Sequence, residues 1–174
     1  MSAKNPYSLL QKAFSPCQCH CPAERNQSPK SVPVHKKELF FTDVEGKTKD
    51  EVLKNLCRKV EQEKGLPETF TASVLKREEL TPTDYGNLVA LPHPERAFQE
   101  RAFVAVAVLK EPIFWFRQKV QVVFLTAIGR EEDENLQQFY EATTDLILRP
   151  ADVKNLIRHP DYDRLIQLLR RAEE

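Results

Sequence analysis

His93 stands between Pro92 and Pro94, at the end of a short apolar run, Leu88-Val89-Ala90-Leu91. Pro92 has its own φ fixed, and Pro94 biases His93 out of the α region towards extended backbone. An imidazole with an unperturbed pKa of about 6.5 is a good nucleophile or proton carrier near neutral pH. On so stiff a segment it loses little freedom when it meets its partner. Spacing alone leaves a second reading open, in which His93 is an ordinary turn residue after a strand.

A second set of reactive groups lies near the N-terminus, in Cys17-Gln18-Cys19-His20-Cys21-Pro22. Thiols and an imidazole at this density could bind a soft metal. Zinc sites, however, pair ligands as C-x₂₋₄-C and place a second pair much further along. Here the spacing is C-x-C-H-C, and no second pair precedes Cys57. Adjacent side chains also close a tetrahedron around one ion poorly. No metal is therefore expected at Cys17, Cys19, His20 and Cys21. A metal or redox module built on them is the third functional class to be tested.

The elements that must position His93 follow from periodicity. Gly86-Asn87 is a turn signal, and Leu88 to Leu91 is short enough to be a buried strand. Upstream, Thr48-Lys49-Asp50-Glu51 has the form of a capping box. Val52, Leu53, Leu56 and Val60 then recur at helical spacing, with Cys57 on or beside that face as a small buried hydrophobe. Gly65 should stop this helix. Pro67 suits the first turn of a second helix, through Phe70, Val74 and Leu75 to Leu80. Arg77 falls in its last turns, where it also reads as a surface arginine capping its own helix end.

Downstream, Phe103 to Leu109 is almost wholly apolar, a strand buried on both faces that Pro112 should end. The aromatic cluster Ile113-Phe114-Trp115-Phe116 reads as a loop anchor or lid. Val120 to Ile128 is a third strand, expected at the centre of the sheet. A helix is expected from Glu131 to Leu148, with Glu131, Glu132, Asp133 and Glu134 at the positive end of its dipole. A short helix should start at Pro150 and break at His159-Pro160, and a last one holds Tyr162, Leu165, Ile166, Leu168 and Leu169. Helices, then strands, then helices predict an α/β fold, a mixed β-sheet flanked by helices on both faces. Order is expected from Glu38. Residues 1–37, rich in Pro, Ser, Asn, Gln and Lys, read as a linker or N-terminal extension that includes His20 and His35. Residues 38–174 form the single folded domain, in which His159 is a turn residue.

Composition removes several classes of function. Lysine plus arginine (26) equal aspartate plus glutamate (26), so the net charge is zero and nothing favours direct nucleic-acid binding. No stretch approaches the ~20 apolar residues of a membrane span. Met1 to Phe14 lacks the continuous apolar core of a signal peptide. The expected setting is the cytoplasm, where four cysteines are thiols or ligands rather than structural disulfides.

Four segments fall in the order and spacing of a known family. They are Lys76-Arg77-Glu78-Glu79-Leu80, Gly86 to Pro94, Leu109-Lys110-Glu111-Pro112-Ile113-Phe114-Trp115, and Val120 to Ile128. Over roughly Glu38 to Arg170 the chain resembles the EIIA domain of the fructose/mannitol type in the bacterial phosphoenolpyruvate sugar phosphotransferase system. The resemblance implies the mannitol-type EIIA fold. It also implies that His93 accepts a phosphoryl group from the phosphocarrier protein HPr and passes it to an EIIB domain, with Arg77 beside the phosphohistidine. No metal or organic cofactor is implied. Many transport members carry a second histidine at the start of the helix after the last long strand, and Asn135 stands there. The usual P-H-G is Pro92-His93-Pro94. That variant looks most like the EIIA-like domain at the C-terminus of PRD-containing transcriptional regulators. The partners would then include the PRD and DNA-binding domains of a parent regulator. The alternative is an EIIA component of a sugar transporter.

Overall fold

The computed structural model describes residues 35–130 and 134–171. Among them, the strands are β1 (His35–Phe41), β2 (Asp84–Gly86), β3 (Leu88–Ala90), β4 (Phe103–Phe114) and β5 (Lys119–Ala127). The helices are α1 (Lys49–Lys64), α2 (Thr69–Leu80), α3 (Glu134–Ile147), α4 (Pro150–Arg158) and α5 (Tyr162–Arg170). The sheet order is β1-β4-β5-β3-β2, so β5 is the middle strand, as expected. β1 runs parallel to β4 and β3 parallel to β5, while the β4–β5 and β2–β3 pairs are antiparallel. The sheet is thus mixed.

Residues 103–109 of β4 are all buried, and their alternation assigns the two layers. Phe103, Ala105, Ala107 and Leu109 pack with Val52, Leu53, Leu56 and Val60 of α1 and with Phe70 and Val74 of α2. Val104, Val106 and Val108 pack against Phe139, Leu146, Leu156, Leu165 and Leu168 of the three C-terminal helices. A strand with both faces covered needs no polar positions, which is why its period of two is invisible in the sequence.

Local signals at the start of α1 act much as its sequence indicates. Thr48 Oγ1 accepts the Glu51 N–H at 3.3 Å, and Gly65 ends the helix in the left-handed region at φ 63°. The Glu51 carboxylate reaches back one residue further than a capping box requires, to Lys47 N at 2.8 Å. α2 begins at Thr69 rather than at Pro67, whose carbonyl accepts the Phe70 N–H.

Three elements differ from expectation. The ordered region starts with a strand at His35, ahead of Glu38. The Gly86 turn signal belongs to a three-residue edge strand, β2, with the turn itself at Asn87 and Leu88, whose φ values are 48° and 67°. Finally, β4 continues past Pro112 to Phe114. Its register against β5 shifts between Val108 and Ile113, and the β3–β5 register shifts between Leu88 and Val89. Gln121, between Val120 and Val122 on β5, fills this bulge. Its buried amide donates to the carbonyls of Leu109 at 3.0 Å and Lys110 at 3.2 Å. Pro112, which has no N–H, lies where the ladder is already interrupted. Among the described residues, no helix is long and apolar enough to cross a membrane.

Candidate functional site

His93 leaves the sheet just beyond the end of β3. Its approach is held on both sides by backbone bonds. Leu91 N–H donates to Thr83 O at 3.0 Å, which ties it to the residue ahead of β2. Pro92 O accepts Thr126 N–H at 2.9 Å, which ties it to β5. The ring is half-buried while Leu91, Pro92 and Pro94 around it are buried. His93 Nδ1 lies 3.4 Å from the carbonyl of Leu91. A carbonyl can only accept, so this long contact favours the tautomer with hydrogen on Nδ1 and the lone pair on Nε2.

Arg77 lies in the last turn of α2 and donates from Nη1 to Thr81 O at 3.0 Å. The arginine does cap its own helix end. Its charge also acts on His93. The imidazole is held below its ordinary pKa first by burial and second by the Arg77 guanidinium, and the Leu91 carbonyl opposes both. A ring with a lowered pKa is neutral, and therefore nucleophilic, at pH 7. Arg77, at the end of α2, is thus close enough for its charge to be felt at the His93 ring.

The chain after His93 is clamped as well. Glu95 N–H donates to Ser73 Oγ at 2.9 Å, and Lys76 Nζ pairs with Glu95 at 3.1 Å. Arg130 N–H donates to Gln99 O at 3.1 Å, and the Arg130 guanidinium pairs with Glu100. Both sides of the histidine are therefore bound to regular elements.

One group in this region escapes sequence reasoning. Glu78, next to Arg77, is a 1% exposed carboxylate. It accepts Thr83 N–H at 2.9 Å, Thr83 Oγ1–H at 2.8 Å and the indole N–H of Trp115 at 2.8 Å. Its neighbours in sequence, Arg77 and Glu79, are charged, so nothing local marks it as buried. The only sign is that Glu78 and Trp115 both fall in the segments that carry the family resemblance. Trp115, 4% exposed, anchors the β4–β5 turn from between Phe114 and Phe116, which are 65% and 51% exposed. The loop anchor read from the aromatic cluster is therefore this one residue, while Ile113 and Phe114 belong to β4.

The remaining candidates lie elsewhere. Asn135 falls in the first turn of α3. Cys57 is fully buried in α1 and burial pushes its thiol up, which makes it an unreactive hydrophobe. His159 is an exposed residue at the end of α4. Cys17, Cys19, His20 and Cys21 lie outside the described residues. Among the described residues, no three His, Cys, Asp or Glu side chains are grouped to hold a metal ion.

The chain is 37% identical over 130 residues to the probable licABCH operon regulator of Bacillus subtilis strain 168, covering 75% of this chain and 20% of that protein. It is 26% identical over 120 residues to the transcriptional regulator ManR of the same strain, covering 69% of this chain and 18% of that one. The chain thus spans about a fifth of the length of these curated relatives. The fold is shared with the complex of enzyme IIAMTL and phosphorylated enzyme IIBMTL from Escherichia coli. There the TM-score is 0.62 at 17% identity, covering 75% of this chain and 94% of that one. Residues 34–172 match the family described as phosphoenolpyruvate-dependent sugar phosphotransferase system, EIIA 2, and the chain belongs to that family.

Proposed function

We propose that the domain beginning with β1 at His35 is the phosphoryl-accepting domain of a PRD-containing transcriptional regulator of sugar genes, joined to it through the residues ahead of that strand and acting in the cytoplasm. His93 is the acceptor, phospho-HPr the donor, and Arg77 the residue that stabilises the phosphate. The observation that carries this reading is the half-buried His93 at the end of the β3 segment, with Nδ1 turned to Leu91 O at 3.4 Å, which favours hydrogen on Nδ1 and leaves the Nε2 lone pair to react.

The transfer follows from that geometry. The Nε2 lone pair attacks the phosphorus of the donor phosphohistidine. A new N–P bond forms as the donor's N–P bond breaks, and the donor imidazole leaves with the electron pair. The His93 ring becomes cationic, and the Leu91 carbonyl offsets that charge by accepting its Nδ1–H. The guanidinium of Arg77 supplies charge to the equatorial oxygens, which spread negative charge in the transition state. Positioning and charge stabilisation are what such a transfer asks of a protein.

The test uses enzyme I, HPr and phosphoenolpyruvate. The wild-type chain should gain the mass of one phosphoryl group, and the His93→Ala variant none. Label that persists in His93→Ala overturns the assignment.

A second reading, an EIIA component that hands the phosphate on to an EIIB domain of a transporter, draws on the shared fold with the Escherichia coli complex. Asn135, where transport members carry a second histidine, favours the regulator. A chase with EIIB distinguishes the two: a transporter component should discharge as fast as it is charged, and a regulatory domain should hold its phosphate.

A further inference from the structure

The structure assigns a role to Glu78: we infer that this buried carboxylate is the positioning residue that sets the His93 imidazole and the Arg77 guanidinium in register. The inference rests on His93 being the phosphoryl acceptor.

The argument begins with an oddity of burial. A carboxylate that is 1% exposed has given up its water, and only hydrogen bonds from donors can replace it. Glu78 has three such bonds and all come from donors, which suits an acceptor-only group. The donors come from two different parts of the chain, the segment between α2 and β2 and the turn between β4 and β5. Removing the group would leave buried donors unpaired, each at substantial cost, so the site is over-determined.

The bonds lead to His93. Glu78 holds Thr83 by both its N–H and its hydroxyl. The carbonyl of Thr83 accepts the Leu91 N–H at 3.0 Å. The carbonyl of Leu91 meets His93 Nδ1. Each link joins rigid backbone, so the carboxylate's position fixes the carbonyl that selects the imidazole's tautomer. On its other side Glu78 is covalently next to Arg77, whose own bond goes to Thr81 O, within the same segment that Glu78 holds down at Thr83. One side chain therefore constrains both partners of the candidate site without touching a phosphoryl group. Trp115 completes the knot from the far side by donating its indole N–H to the same carboxylate.

The test compares Glu78→Gln with Trp115→Phe and with Gln121→Leu. Glu78→Gln keeps the volume but turns one oxygen into an NH₂ that faces donors. Trp115→Phe keeps an aromatic ring and deletes the indole N–H bond, together with part of the buried ring volume. Gln121→Leu is a control that removes a buried amide at the β4 bulge, a comparable loss of hydrogen bonds outside this relay. For each, circular dichroism reports folding, nitrogen-15 NMR of the His93 ring reports its tautomer, and phospho-HPr reports transfer. Glu78→Gln should accept phosphate about tenfold more slowly or worse, in line with the rate penalty of misplaced groups. Its His93 ring should become a mixture of tautomers. Trp115→Phe should move both readouts the same way by a smaller factor, and decides the matter if Glu78→Gln fails to fold. Gln121→Leu should move neither.

Unchanged tautomer and rate in a folded Glu78→Gln overturn the inference, as does an equal loss of both in Gln121→Leu. If the wild-type chain accepts no phosphate at all, the functional reading fails, while the tautomer measurement still decides what Glu78 does.

Discussion

Ser73 Oγ accepts the backbone N–H of Glu95 at 2.9 Å, so α2 grips the chain just past His93. Ser73, Lys76 and Arg77 are three and four residues apart and share one helix face. The face that holds this segment in place therefore also carries Arg77, whose charge is felt at the imidazole. The Lys76–Glu95 pair on the same face is largely exposed on the lysine side and adds little by itself.

Arg77 should matter through its fork of donors as well as its charge. Replacing Arg77 with alanine should slow phosphoryl acceptance by about 10²-fold, the scale seen when one preorganised donor is removed from a transition state. Arg77→Lys should recover only part of this, since a point charge lacks the planar bidentate geometry. Single-turnover transfer from phospho-HPr measures both, and full activity in Arg77→Ala would remove the residue from the mechanism.

The lowered pKa of His93 has a definite sign for stability. Because the folded ring resists protonation, the unfolded chain takes up the proton first as pH falls. Stability should decline from the ordinary imidazole value of about 6.5 down through the folded-state value, and level off below it. Above that window the ring makes no such contribution. Urea unfolding between pH 7 and 5 should show this slope in the wild type and a weaker one in His93→Asn. Acceptance of phosphate should likewise persist to a lower pH than an unperturbed imidazole would allow.

Gly129 sets how closely the loop after His93 packs against the end of β5. A Cβ there would lie 2.3 Å from Glu100 O, 2.6 Å from Ala102 N and 2.7 Å from the carbonyl carbon of Arg101. All three are backbone atoms and cannot swing aside. Gly129→Ala should cost about 2 kcal/mol, typical of overpacking, and should loosen the Arg130–Gln99 bond. Denaturant midpoints and amide exchange at Arg130 would register the change.

Asn87 joins the β2–β3 turn to α3 by donating its amide to the last carbonyl of that helix, Ile147 O. It does so from the left-handed region, φ 48°. Asn87→Gly keeps that conformation and loses only the amide bond. Asn87→Ala loses the bond and also brings a Cβ into a region that costs about 1–2 kcal/mol. The alanine variant should therefore be the less stable of the two by about 1 kcal/mol. Equal stability would mean that the bond to Ile147, rather than the backbone, sets the need for asparagine.

The parts of this protein that a sequence announces are those whose causes are local. Thr48 and Gly65 bracket α1 because a hydroxyl and a missing Cβ act within a few residues of themselves. The apolar stretches that became β4 and β5 declare themselves as buried, and β5 as central, because few polar positions interrupt them. The pairing of prolines around His93 is visible for the same reason, and the segments that carry the family resemblance point to Arg77.

Where β1 pairs, why Asp84–Gly86 forms an edge strand, and how β4 survives Pro112 were decided only by the assembled sheet. Period-two alternation is the same in every register, and a bulge is cheap only where a residue such as Gln121 arrives from the next strand to satisfy its carbonyls. Glu78 is the sharpest case. An acidic residue among other charges on a helix has no local reason to be buried, and its role exists only because folding brings Thr83 and Trp115 to its two oxygens.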